Sequence, residues 1–361
     1  MPALPGKEIV SNSFSDNLRD LAEGAINPAG SLARREEGLL PPLADLPQSR
    51  GEQKLLFTAA DSFGEAGRRT LLRQFRKFLA HEEGTRQGKD IEELHDMRVA
   101  SRRLRAAFRV FGKSLGKQAI APYREQLEWI AGELGRVRDL DVFIAYLRDY
   151  CLTLPASQQR GLRSLLEDRE IARQEARAAL LKALNSDRYR MFKESFQKFL
   201  EDELVHTIAR KSGKTVGEGA PKDLRKRFRA VLAFAPRLCV NPCPETYHQL
   251  RIAIKRFRYA AEFFQGLYDG ALDFLIGECR QMQDALGEMH DVDVHRDYLT
   301  GFAAATRNCS ATDEHRMAIE MLLEAERRRY AEQRSKFEHI WMNWTQEERR
   351  EETLNLINSL H

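Results

Sequence analysis

The side chains most able to do chemistry in this chain are cationic and evenly spaced. The stretch HDMRVASRRLRAAFRVF (95–111) sets His95, Arg98, Arg102, Arg103, Arg105 and Arg109 among apolar residues. On a helix turning about 100° per residue, Arg98, Arg102, Arg105 and Arg109 form one stripe beside His95. Leu94, Met97, Leu104, Phe108 and Phe111 fall on an adjoining apolar face. The stretch HQLRIAIKRFRYAAEFF (248–264) repeats the pattern: His248, Arg251, Lys255 and Arg258 take the stripe, Arg256 matches Arg103, and Leu250, Ile254, Phe257 and Phe264 take the apolar side. Upstream of each, Arg69, Arg73 and Arg76, then Lys222, Lys226 and Arg229, share a face at helical spacing. Like charges at these spacings cost an isolated helix a few tenths of a kcal/mol per pair. No carboxylate shares the first-half stripes to offset them. Rows of guanidinium forks suit phosphate oxygens, which they bind with charge-assisted, bidentate hydrogen bonds. The expected chemistry is therefore the binding of a polyanion rich in phosphate.

Metal chemistry is the main competitor. His95 precedes Asp96 and His290 precedes Asp291, a pairing that a metal-dependent phosphohydrolase would use. The repeat counts against it, because Asp96 becomes Gln249 and His290 takes the place of Arg138. What recurs is His-x-x-Arg and a basic residue before Asp-x-Asp, a cationic surround rather than a ligand set. Asp139, Asp141, Asp291 and Asp293 are expected to cap a helix start or to accept hydrogen bonds from the basic stripes. The five cysteines are odd in number and scattered. Free thiols and a reducing, cytoplasmic setting are expected, and Cys239 and Cys243 lack zinc-knuckle spacing. No metal and no cofactor is expected.

The elements that must position these residues are helices. Leu, Ala, Glu, Arg, Lys and Gln dominate, strand signals are almost absent, and Gly or Pro breaks punctuate the chain, so an all-α protein of ten or more long helices is expected. Asp90 with Glu93 reads as a capping box, and Pro244 suits a first helical turn. A shift of 153 positions superposes the two basic blocks, and a shift of 152 lays LGRVRDLDVFIAYL (134–147) on LGEMHDVDVHRDYL (286–299). The chain thus divides into halves at about 60–210 and 221–361, with a linker over 211–220. Six of twelve prolines fall before residue 50, so 1–55 reads as a flexible extension with a short helix near Asn17–Glu23. No apolar run is long enough to cross a bilayer, so no membrane partner is expected.

With both blocks in order in each half, the chain resembles the CHAD domain, the conserved histidine α-helical domain. The resemblance covers about 60–361. It implies two four-helix-bundle-like halves related by a pseudo-twofold, with a basic central cleft or pore that binds inorganic polyphosphate and performs no catalysis. It also implies an association with polyphosphate granules. Some members add a triphosphate tunnel domain, whose Glu-x-Glu-x-Lys strand is not found here, so a stand-alone CHAD protein is expected. The family pattern falls on His95, Arg98, Arg102, Arg103 and Arg105 and on His248, Arg251, Lys255, Arg256 and Arg258. The second half departs at three places. Lys255 stands where the first half has Arg102. Glu262 replaces Arg109, which weakens the far end of the second stripe as a phosphate contact. His290 in place of Arg138 introduces a group that titrates near neutrality.

Nucleic acid is the alternative ligand. It would call for aromatic platforms among the basic residues, but Phe108, Phe111, Phe257 and Phe264 lie on the apolar sides, so no specific nucleic acid is expected. A helical scaffold with basic faces for protein partners is the plainest reading. The net charge of only +4 decides nothing between these.

Overall fold

The computed structural model describes residues 56–204, 213–240, 242–306 and 313–360, which belong to the compact unit Lys54–His361. The N-terminal extension over 1–55, with its expected short helix, lies outside the described residues, as do positions 211 and 212 of the expected linker and Cys309.

The described residues carry no strand. The first half runs α1 (Phe63–Ala80), a short α2 (Glu82–Gln87), α3 (Ile91–Leu115), α4 (Lys117–Leu152), α5 (Ala156–Leu184) and α6 (Asp187–Lys198), which passes into one π turn. The second runs α7 (Val216–Leu232), α8 (Pro244–Phe264), α9 (Asp273–Thr306), α10 (Asp313–Trp344) and α11 (Glu347–Asn358). Without α2, the helix lengths are 18, 25, 36, 29 and 12 residues in the first half. They are 17, 21, 34, 32 and 12 in the second. The order and proportions recur with the sequence blocks.

Local chemistry sets the helix starts. Ser62 Oγ accepts from the Glu65 amide at 3.1 Å, and Pro244 occupies the first turn of α8 as its sequence suggests. Asp90 caps α3 but accepts from the Glu92 amide, while Glu93 turns to His81 Nδ1 at 2.8 Å. Asp90 thus serves as a simple N-cap and the expected capping box with Glu93 does not form; a complete one forms at Thr215 and Glu218. Helix α7 also starts at Val216, inside the stretch read as linker. Gly116, at φ 95°, lets the chain turn between α3 and α4. Gly67 lets α1 press on α3, since a Cβ there would stand 2.5 Å from Phe111 Cβ.

The halves do not close separate cores. The apolar faces of α1, α3, α7 and α8 join in one cluster, with Leu94, Met97, Leu104, Phe108, Leu250, Ile254 and Phe257 buried as their spacing predicts and Phe75, Phe78, Phe228 and Val231 buried beside them. Phe63 lies 5.0 Å from Phe111 and 5.8 Å from Phe264, so α1, α3 and α8 meet at one aromatic junction. Beside it the two equivalent cap residues pair: the Phe63 amide donates to Lys214 O at 3.0 Å and the Val216 amide to Asp61 O at 2.9 Å. A second cluster is built from α4, α5, α9 and α10, with Phe143, Leu147, Leu162 and Leu165 against Leu299, Ala318, Ile319 and Leu322. Both clusters draw on both halves. The expected division at 211–220 therefore divides the sequence but not the core.

Candidate anion-binding site

The close packing of α3 on α8 leaves a cleft of about 230 Å³. Arg102, Arg105 and Arg109 line it from α3, and Lys255, Arg256 and Tyr259 from α8. Arg227 of α7 closes one side; it pairs with Asp223 and donates to Arg109 O at 3.3 Å, tying α7 to α3. The apolar faces of α3 and α8 are buried, which leaves Arg102, Arg105, Arg109 and Lys255 of the basic stripes on the cleft wall.

The cations of the cleft and its surroundings divide into two sets. Some carry a carboxylate. Arg98 donates to Asp139 at 3.0 Å and Arg105 to Glu128 at 2.9 Å. Glu262, almost fully buried, gathers Arg258 at 2.6 Å, Arg103 at 3.1 Å and Arg280 at 3.1 Å. The others carry none: among the described residues, no carboxylate lies within 4 Å of Arg102, Arg109, Arg251, Lys255 or Arg256. Arg102 Nε is buried without a hydrogen-bond partner. Burial, together with Arg98, Arg258 and Arg103, lowers the Arg102 pKa. Burial, Arg105 and Arg256 do the same to Arg109. Burial and four arginines bring Lys255 down to about 7. Such a cluster is electrostatically unfavourable until an anion enters it.

The histidines lie beside this cluster. Burial and Arg138, with Arg102 adding to them, push His95 below its ordinary value. His290 is lowered by burial, Arg251 and His248, and its ring stands 4.9 Å from that of His248. His248 Nδ1 is buried without a partner. Among the described residues, no three His, Cys, Asp or Glu side chains converge as a metal-binding group. Cys151, Cys239, Cys243 and Cys279 are free thiols. The four aspartates do not cap helix starts, because α4 and α9 run unbroken through them. Asp139 does hold a stripe arginine, as expected. Asp141 is taken instead by Arg173 of α5, and Asp293 lies 3.9 Å from Arg296.

The upstream basic faces are not brought into the cleft. Arg69 is held by Glu65 at 2.9 Å and by Asp61 at 3.6 Å, and Arg76 lies 4.0 Å from Glu201. Arg73, Lys222, Lys226 and Arg229 are exposed and absent from the lining. Arg103 and Arg258 are drawn aside by Glu262, whereas Arg256 reaches the cleft.

Three further residues shape the site. Arg227 gave no signal, because its counterpart at the 153 offset is Gln74. Gly135 and Gly287 did give one, since each sits in the repeated Leu-Gly of the second block. A Cβ at Gly135 would stand 3.8 Å from Arg98 Nε, and one at Gly287 3.5 Å from an Arg251 terminal nitrogen. These glycines give the equivalent arginines room to lie across α4 and α9.

Comparison with known proteins agrees with this architecture. Two uncharacterized proteins, from two strains of Mycobacterium tuberculosis, are 26% identical over 217 residues. That match covers 59% of this chain but only 41% of each relative, so the chain spans well under half of their length. The crystal structure of the CHAD domain from the plant Ricinus communis superposes with a TM-score of 0.63 at 25% identity, covering 79% of this chain and 93% of that one. PptA from Streptomyces chartreusis shares the fold, with a TM-score of 0.58 at 18% identity over 78% of this chain and 100% of that one. A model of the CHAD domain matches residues 69–300, which contain both basic blocks and the cleft between them, and the chain belongs to the CHAD domain family.

Proposed function

We propose that the chain binds inorganic polyphosphate in the cleft between α3 and α8 and leaves it chemically unchanged. CHAD membership supports a polyphosphate-associated role. The observation that carries the finer reading is the set of cations without counter-charge, contributed by the two repeated helices and turned toward one space. Polyphosphate carries a negative charge on each internal unit and no bases. Arg102, Arg109 and Arg256 offer forks for its oxygens in the cleft and Lys255 offers a point charge, while Arg251 adds positive charge from beside the lining. Stacking on bases is not supported, because Phe108, Phe111, Phe257 and Phe264 are buried and Tyr259 is 4% exposed. His95 and His290 are read as part of the cationic surround, with no bond-breaking step assigned to them. A protein with this affinity would collect on polyphosphate granules in the cytoplasm. No helix of the described residues is long and apolar enough to cross a membrane.

The test joins titration to melting. Arg98, Arg102, Arg251 and Lys255 are replaced together by glutamine, which keeps good helix propensity. The variant should stay folded and lose polyphosphate binding by at least a hundredfold, since each charged hydrogen bond is worth about 1.5–3 kcal/mol. Wild-type affinity should fall steeply with added salt through counterion release. A folded variant that still binds tightly would place the ligand elsewhere. Equal competition by single-stranded DNA would favour the nucleic-acid reading. Phosphate release with magnesium or manganese would make the chain an enzyme.

A further inference from the structure

We infer that Lys255 is a proton-coupled ligand of the cleft: in mildly alkaline solution it stands largely uncharged while the cleft is empty, and it takes up a proton when a phosphate lies beside it. The inference rests on the polyphosphate reading and adds a pH-dependent step to it.

The geometry is specific to this lysine. Lys255 lies half-buried on the cleft wall, with no carboxylate of the described residues within ion-pair distance. Arg98, Arg102 and Arg105 act on it from α3, and Arg251 from one turn earlier in α8. The acids nearby are spent or remote. Asp139 of α4 is held by Arg98, and Glu128 by Arg105. On its own helix Glu262 is enclosed by three arginines, and Asp223 of α7 is enclosed by Arg227. From α9, Asp284 and Asp291 feel Arg251, and burial favours their neutral forms. His290 beside them is shifted toward neutral imidazole. Arginine does not release its proton in proteins, so the repulsion in this cluster is relieved at the lysine. Burial is the first cause of the shift and the four arginines the second, and together they leave Lys255 titrating at about 7.

The direction of the coupling follows. A bound phosphate adds negative charge beside the amine and raises its pKa. Below about pH 7 the lysine is charged in both states, and binding moves no proton through it. Above that value, up to the pKa in the complex, binding takes up a proton and affinity falls as pH rises. One proton corresponds to at most about tenfold in affinity per pH unit. Arg102, the residue at the equivalent repeat position, cannot supply this, so the two halves of the cleft differ in their response to pH.

The experiment is titration calorimetry of the full chain with polyphosphate of defined length at pH 8, in several buffers of different ionisation enthalpy. The wild type should take up on the order of one proton per site. Lys255→Arg, charged at every pH used, should bind with uptake close to zero and a flatter affinity–pH profile. Lys255→Met should also lose the uptake, and bind more weakly. Wild-type binding with buffer-independent heat overturns the inference and leaves the polyphosphate reading standing. So does uptake unchanged in both variants. A wild type that binds no polyphosphate overturns the reading itself, and the inference with it.

Discussion

At the scale of single residues, Glu262 decides which arginines are available. It stands where the first half has Arg109, and it closes around Arg103, Arg258 and Arg280. One buried carboxylate thereby holds side chains from both halves and withdraws two expected phosphate ligands from the cleft. Removing one member of a buried ionic cluster leaves its partners uncompensated. Glu262→Gln should destabilise the fold by roughly 2–4 kcal/mol, the lower end reflecting that Arg280 is half exposed. Polyphosphate should restore more melting temperature to this variant than to the wild type, because a phosphate can take the place of the carboxylate. Urea unfolding and melts with and without ligand measure both effects. An unchanged stability would mean that the three guanidiniums are already satisfied by solvent.

Among the elements, α4 and α9 act as platforms for the arginines of α3 and α8. Gly135 and Gly287 leave a shallow place on each platform where Arg98 and Arg251 lie. Glycine inside a helix costs up to about 1 kcal/mol relative to alanine. Gly287→Ala adds a methyl at ordinary contact distance from Arg251. It should leave binding intact and raise stability by a few tenths to about 1 kcal/mol. Gly287→Leu fills the place and should displace the guanidinium, weakening polyphosphate binding several-fold while helicity persists. Circular dichroism beside a binding titration separates the two outcomes. Equal binding by both variants would show that the position of Arg251 is not set by this platform.

For the whole molecule, the shared cores govern how it unfolds. Phe63 and Phe111 need Phe264 from the second half, and the outer cluster needs α5 against α10. Neither half can expose these faces and remain folded, because each would present a contiguous apolar surface to water. Scanning calorimetry of the chain should show one cooperative transition for the helical unit rather than one for each half. Polyphosphate, which would bridge α3 and α8, should move that transition upward as a whole. Two transitions, only one of them sensitive to ligand, would mean that the halves fold independently.

The helices and their faces are legible in local residue order. Period-3.6 spacing placed Phe108, Phe111, Phe257 and Phe264 inside and the arginines on the adjoining face, because burial of apolar area is read from local order alone. Repetition exposed Arg102 and Lys255 as equivalents, and their types pointed to phosphate. Which cations share a space depends on how the helices pack. The upstream faces of Arg69 and Lys222 looked equivalent to the others, yet the cleft excludes them, and Arg227 entered it without any signal in the repeat. Glu262 looked like a flaw in a stripe and proved to be the centre of an ionic clasp between the halves. The physical reason is range. Helical periodicity is fixed by neighbours within a turn or two, whereas a charge takes its value from every group within several ångströms, and most of those arrive from distant parts of the chain.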